Sequence, residues 1–141
     1  MPLTSAQIKV GVVAYLEVGV LHADNQIKQP PSPAPRDGPF VCFATSGQLS
    51  AWTEISTQAK DGRLELKAEW RKSGAGSWLT DAQYINDGRT TYIGPKSSFV
   101  AASQSKDKFQ AQSRPRVTLE GVAAVVQAVR ARGGNTLEAG A

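Results

Sequence analysis

The residues best equipped for chemistry are Arg36, beside a run of prolines, and the segment Ser56-Thr57-Gln58. Arginine carries a planar fork of N–H donors, and the two hydroxyls and the amide can donate or accept. Such groups grip and orient a ligand through hydrogen bonds. His22 is a further candidate because imidazole titrates near neutrality and this one starts the stretch that carries Arg36. A bland surface histidine is the favoured reading of it. For Arg36 a solvated loop charge stays open, as does strand-end self-capping for Ser56 and Thr57. No zinc-ligand spacing, P-loop, dinucleotide fingerprint or G-x-S-x-G elbow occurs, and one Cys with one His excludes a Cys/His metal cluster. Cys42 lies in an apolar run and reads as a small core residue rather than a nucleophile.

These groups must be presented by a strand that ends beside a loop, and Phe40 to Gln58 reads as that element. Phe40-Val41-Cys42-Phe43 favours a strand, Ser46-Gly47-Gln48 supplies turn chemistry, and Ser50 to Thr57 alternates Trp52, Glu54 and Ser56 against Ala51, Thr53, Ile55 and Thr57. The hairpin is expected to deliver Ser56, Thr57 and Gln58 to a surface pocket. Upstream, Val10 to Val20 reads as a strand with Val12, Ala14, Leu16, Val18 and Val20 on its buried side. His22 to Pro39 holds five of the eight prolines and reads as a long surface loop.

Downstream, Lys60-Asp61-Gly62 marks a turn, and Arg63 to Lys67 alternates like a half-buried strand able to pair back onto Ser50 to Thr57. Ala68 to Asn86 is expected to be irregular, with one helical turn after Thr80. Asn86-Asp87-Gly88 and Gly94-Pro95 read as turns, with strands at Thr90 to Ile93 and Ser98 to Ser103. Thr118 can cap a helix reaching Arg132, in which Val122, Val125, Val126 and Val129 recur at helical spacing before Gly133-Gly134 ends it. The expected fold is mostly β (α+β), a curved antiparallel sheet of about six strands with one principal C-terminal helix.

The chain has 141 residues, of which 40% are hydrophobic, enough for one compact core and too few for two comfortable domains. A single domain over 1–141 is expected, with the proline-rich loop at 22–39 and a mobile tail at 135–141. The net charge of +4 favours polyanions without demanding them. Lys106, Lys108, Arg114 and Arg116 form a basic stretch for which a solvated face is the favoured reading, and three Trp, four Phe and three Tyr could furnish a core or a dimer interface. No run approaches the roughly 18 apolar residues of a membrane span, and no signal-peptide pattern opens the chain, so a cytoplasmic protein is expected.

The order of these parts resembles the MazF/PemK family of bacterial toxin–antitoxin toxins. The first strand within Gly11 to Val20 leads into the loop His22 to Asp37, and Pro39-Phe-Val-Cys-Phe-Ala44 follows. Ile55-Ser-Thr-Gln-Ala-Lys60 is similar to the family's hydroxyl-bearing strand end, and Ser98 to Ser103 with the helix from Thr118 is similar to its closing strand and helix. Asp37 and Gly38 separate Arg36 from Pro39, where the family pattern has Arg directly before Pro.

The resemblance implies an SH3-like β-barrel, a homodimer, a cognate antitoxin partner and metal-independent cleavage of single-stranded RNA by the ribose 2′-hydroxyl, with no cofactor. It implies catalytic roles for Arg36, Ser56 and Thr57, with substrate binding at Gln58 and Lys60. His22 enters only as a substrate-binding candidate from its place on the loop. Rival readings are a CcdB-like toxin that binds a protein target such as gyrase, and an inactive module that binds nucleic acid or protein.

Overall fold

The computed structural model describes residues 3–30, 36–60, 62–85, 90–134 and 136–137. Pro31, Pro33 and Pro35 of the loop, Asp61, the Asn86-Asp87-Gly88 turn and most of the expected mobile tail lie outside the described residues. The central hairpin consists of β2 (Gly38–Ser46) and β3 (Leu49–Ser56), which turn at Gly47 and Gln48. Phe40 faces Glu54 and Cys42 faces Trp52, whereas Ala44 faces Ala51, so the register slips by one residue at Phe43 as in a β-bulge.

Both edges of this hairpin are occupied. β1 (Val13–Leu16) pairs with β2, and the far edge of β3 is shared between two strands. β7 (Thr91–Pro95) takes Leu49 to Thr53, and β6 (Gln83–Ile85) takes Ile55 and Ser56. β4 (Glu65–Leu66) pairs with β6, and β5 (Arg71–Lys72) pairs with β8 (Arg116–Val117). Every pairing is antiparallel. Among the described residues no ring of ladders closes, and four α-helices join the strands, so the protein is mixed α/β rather than mostly β.

The sheet is covered on both faces, which explains why Phe40-Val41-Cys42-Phe43 is an unbroken apolar run instead of an alternating one. On one face Leu16, Phe40, Cys42 and Trp52 pack with α1 (Val18–Ala23) and α3 (Lys96–Ser103), and Trp52 stacks on Phe99 with ring centroids 5.4 Å apart. On the other, Val41, Phe43, Ile55, Leu66 and Trp70 meet Val122, Val125 and Val129 of α4 (Leu119–Ala131). Each such burial contributes about 1.5–3 kcal/mol. All three tryptophans are thus spent inside the protomer, and the aromatic count gives no argument for an interface.

α4 matches its sequence pattern, with the Thr118 hydroxyl accepting the Gly121 N–H at 3.1 Å. Four other expectations are corrected. The strand expected to reach Val20 stops at Leu16, because Val18 and Leu21 are buried at helical spacing and the Asp37 carboxylate accepts the Val18 N–H. Ser98 to Ser103 is helical, since Phe99, Ala102 and Ser103 all face inward and the Ser103 hydroxyl donates to Val100 C=O within the helix. Short apolar runs cannot be assigned by periodicity alone. Residues 65–66 pair with β6 rather than β3, and the expected helical turn precedes Thr80's end, as α2 (Ser77–Thr80).

β1 is kept from presenting a bare edge by a buried ion pair. Arg114 and Asp107, with side chains 1% and 0% exposed, bond in a fork at 2.8 and 3.0 Å. Arg114 also donates to Val13 C=O and Asp107 accepts the Tyr15 N–H, while Val13 N–H donates to Pro115 C=O. Gly11, at φ +93°, lets the chain pass so close that a β-carbon would collide with Val117 C=O. Arg114 is therefore no part of a solvated basic face.

Breaking the pair strands a buried charge. Arg114→Met is expected to cost about 3–5 kcal/mol in urea unfolding. Adding Asp107→Leu should recover only part of that loss, because Tyr15 N–H and Val13 C=O lose their partners; full stability in the single variant would contradict this role.

Candidate functional site

The principal cleft opens where the apolar layer over β3 gives out. Trp52, Glu54 and Ser56 share one face of the strand by its two-residue period. Trp52 is fully buried, Glu54 is 5% exposed and Ser56 is half-buried, so the face passes from apolar to polar toward the strand's end. Arg36 to Pro39, at the entrance of β2, form one wall of a cavity of about 330 Å³. Glu54 to Gln58 form the floor, Lys60 and Arg63 come from the following loop, and Gln83 comes from β6. Arg36, Ser56, Thr57, Gln58 and Lys60 are thus brought together.

His22 is elsewhere. It lies on α1, its Nε2 is 2.7 Å from the Tyr92 hydroxyl, and the two rings stack at 5.7 Å in the layer that holds Phe40. It does not line the cleft. Cys42 is buried, and burial pushes its thiol up to about 12, leaving no thiolate near neutrality.

Three cations, Arg36, Lys60 and Arg63, share the cleft with two carboxylates, Asp37 and Glu54. Arg63 ties down the strand end by donating from Nη1 to Gln58 C=O at 2.5 Å and to the Ser56 hydroxyl at 3.4 Å. The Ser56 oxygen also accepts the Gln58 N–H at 3.1 Å. With two donors aimed at that oxygen, the hydroxyl hydrogen is what Ser56 has to offer a ligand. Self-capping and ligand binding are therefore compatible in one side chain. Gly62, at φ +83°, makes room for the Arg132 guanidinium, so the end of α4 packs beside this loop.

Asp37 anchors the wall that carries Arg36. Its Oδ1 accepts the Val18 N–H at 2.8 Å and its Oδ2 pairs with Lys106 Nζ at 2.5 Å. The Lys106 ammonium holds the Asp37 carboxyl below its ordinary 3.8, against a smaller opposing effect of burial, and Asp37 raises Lys106 in return.

Sequence reasoning missed Glu54, Arg63, Asp37 and Gln83. A carboxylate two residues before Ser56 on an otherwise buried strand face was the available signal for Glu54, and a charge after a turn signal was the one for Arg63. Gln83 had none, since only the β3–β6 pairing brings it near. A second cavity, about 200 Å³ beside Lys28, Thr91 and Gly133, has one charged side chain in its lining. Among the described residues no three His, Cys, Asp or Glu side chains gather into a metal-binding group, and no helix is long and apolar enough to cross a membrane.

Comparison with protein-family models, curated proteins and solved structures finds no match to this chain.

The Asp37 anchor has a defined pH window. A carboxyl whose folded pKa is depressed contributes order above its unfolded value and loses it as pH falls through the folded one. Hydrogen exchange at Val18, corrected for its intrinsic pH dependence, is expected to stay slow down to about pH 4 and to quicken below it. Asp37→Asn should quicken it already at pH 7; exchange that ignores both changes would contradict the anchor.

Proposed function

We propose that this protein is a metal-independent endoribonuclease, the toxin of a toxin–antitoxin pair, acting on single-stranded RNA in the cytoplasm. The observation that carries the reading is the convergence of Arg36, Lys60 and Arg63 with the hydroxyls of Ser56 and Thr57 in one open cleft. Fixed cations and hydroxyl donors are what a phosphodiester needs. On this reading the Arg36 fork clamps the scissile phosphate, and Ser56 and Thr57 donate to its oxygens. Gln58 and Lys60 hold the flanking nucleotides.

The reaction then needs little beyond alignment, because the nucleophile is the substrate's own 2′-hydroxyl. Its oxygen attacks phosphorus, the bond to the 5′-oxygen breaks, and a 2′,3′-cyclic phosphate and a 5′-hydroxyl result. The reading also takes the sheet as an SH3-like barrel. Its support is the course of the chain from β4 through the 3-10 turn Ala68–Trp70 directly into β5, which pairs with β8 beside Gly11 and Val12. A homodimer and a cognate antitoxin complete the proposal, and both rest on the family resemblance.

The test is cleavage of a long unstructured RNA in EDTA, with analysis of the new ends. Arg36→Ala is expected to lower turnover by at least about a hundredfold, the scale of losing one preorganised charge stabiliser. Arg36→Lys should restore only part of it, Ser56→Ala should cost less than Arg36→Ala, and His22→Ala should be nearly neutral. Wild-type protein that cuts no RNA, or cuts only with a divalent metal, would refute the assignment.

A further inference from the structure

Resting on the endoribonuclease reading, we propose that Gln83 selects the base beside the cut: its carboxamide oxygen accepts an N–H from the exocyclic amino group of adenine, cytosine or guanine, which uracil lacks. Gln83 is 4% exposed, yet it forms part of the cleft wall with Ser56 and Thr57. Its Nε2 donates to Ser77 C=O at 2.9 Å. A carbonyl can only accept, so that bond settles which end of the carboxamide is nitrogen and which is oxygen. The α2 segment that supplies this carbonyl is itself held, because Arg71 Nη1 donates to Trp78 C=O at 2.5 Å and to Asp81 C=O at 2.7 Å. Among the described residues nothing donates to Gln83 Oε1, and unlike Trp70 Nε1 and Arg71 Nε this oxygen is not sealed from solvent. A nearly buried side chain thus keeps one unmet acceptor, and it opens into the cleft.

The position suits a base rather than a phosphate. A phosphodiester oxygen is ionised at neutral pH and has no proton to offer an acceptor. β6 runs antiparallel to β3, with Ile85 opposite Ile55 and Tyr84 opposite Ser56, so Gln83 and Thr57 come next in line at the strand end. Opposite residues of an antiparallel pair stand about 4.5–5.5 Å apart. A phosphate held by Thr57 therefore leaves a base of the same dinucleotide step beside Gln83. Single-stranded RNA offers its unstacked bases by their hydrogen-bonding edges. An exocyclic amino group projects from such an edge and can enter a narrow opening, whereas the N3–H of uracil lies between two carbonyl oxygens that repel Oε1. With uracil in place the acceptor loses water and gains no partner.

The experiment first maps the cut in a long RNA, then uses short oligonucleotides in which 2′-O-methyl groups block every ribose but the one at the cut. Each base flanking the cut is replaced by its counterpart without the amino group: purine riboside for adenosine, 2-pyrimidinone riboside for cytidine, inosine for guanosine. At one flanking position wild type is expected to lose about ten- to a hundredfold in kcat/KM, the scale of leaving one nearly buried acceptor unmet. Gln83→Met, of similar length and with no acceptor, should shrink that ratio to about twofold or less. A merely structural role would slow both substrates alike and leave the ratio intact, and an intact ratio overturns the proposal. So does a wild type that prefers uridine at both positions or ignores the amino group. If Gln83→Met fails to fold, NMR of the wild-type Gln83 side-chain amide carries the test. Its signals should shift more with fully 2′-O-methylated RNA bearing the amino group than with the counterpart lacking it, and equal shifts overturn the assignment. Wild type that cuts no RNA refutes the endoribonuclease reading and this inference with it, whereas cutting that is indifferent to the amino group refutes only the role of Gln83.

Discussion

Arg114 and Asp107 form a two-bond fork with almost no solvent access, and each also holds a backbone group of β1. A buried charge pair of this kind is costly to break rather than intrinsically stabilising, because either partner alone would be left desolvated. Its consequence is positional. It fixes the segment between α3 and β8 against the edge of β1, and the residue next to Asp107 is Lys106, which reaches Asp37. Asp37 in turn is the neighbour of Arg36. Two ion pairs joined by neighbouring residues thus link the buried edge of the sheet to the wall of the cleft.

The second constraint is the covering of one sheet on two faces. α4 fills one side and α1 with α3 the other, so β2 and β3 are rigid along most of their length. At the end of β3 the outer cover stops, and there the strand face changes from Trp52 to Glu54 to Ser56 within five residues. A ligand in the cleft meets side chains mounted on a central strand and, opposite them, a wall held by Asp37.

Much of this was legible in the residues themselves. The hairpin at Gly47 and Gln48, the Thr118 cap and the valine stripe of α4 depend on local chemistry, and local chemistry is what a sequence displays. The gathering of Arg36 with Ser56, Thr57 and Gln58 was implied by the family resemblance, and it comes about through one loop at the start of β2 and the end of β3. What was not legible is set by distant partners. Ser98 to Ser103 has the composition of a strand and is helical because of where Phe99 packs, and Val18 leaves the strand because Asp37 receives its N–H. Arg114 looked like a surface charge because its partner, seven residues away, matters only once β1 lies beside both. Residues 65–66 found β6 instead of β3, which no alternation pattern could reveal.

The central claim is that the cleft at the end of β3 binds the RNA backbone. It is tested most directly by titrating the labelled protein with a 2′-O-methyl RNA oligonucleotide, which keeps every phosphate and blocks the attacking hydroxyl. NMR shift changes are expected to concentrate at Arg36, Ser56, Thr57, Gln58, Lys60 and Arg63, with His22 and Tyr92 unmoved. Shifts centred instead on Lys28 and Gly133, or on Lys108 and Arg116 with the cleft silent, would contradict the account.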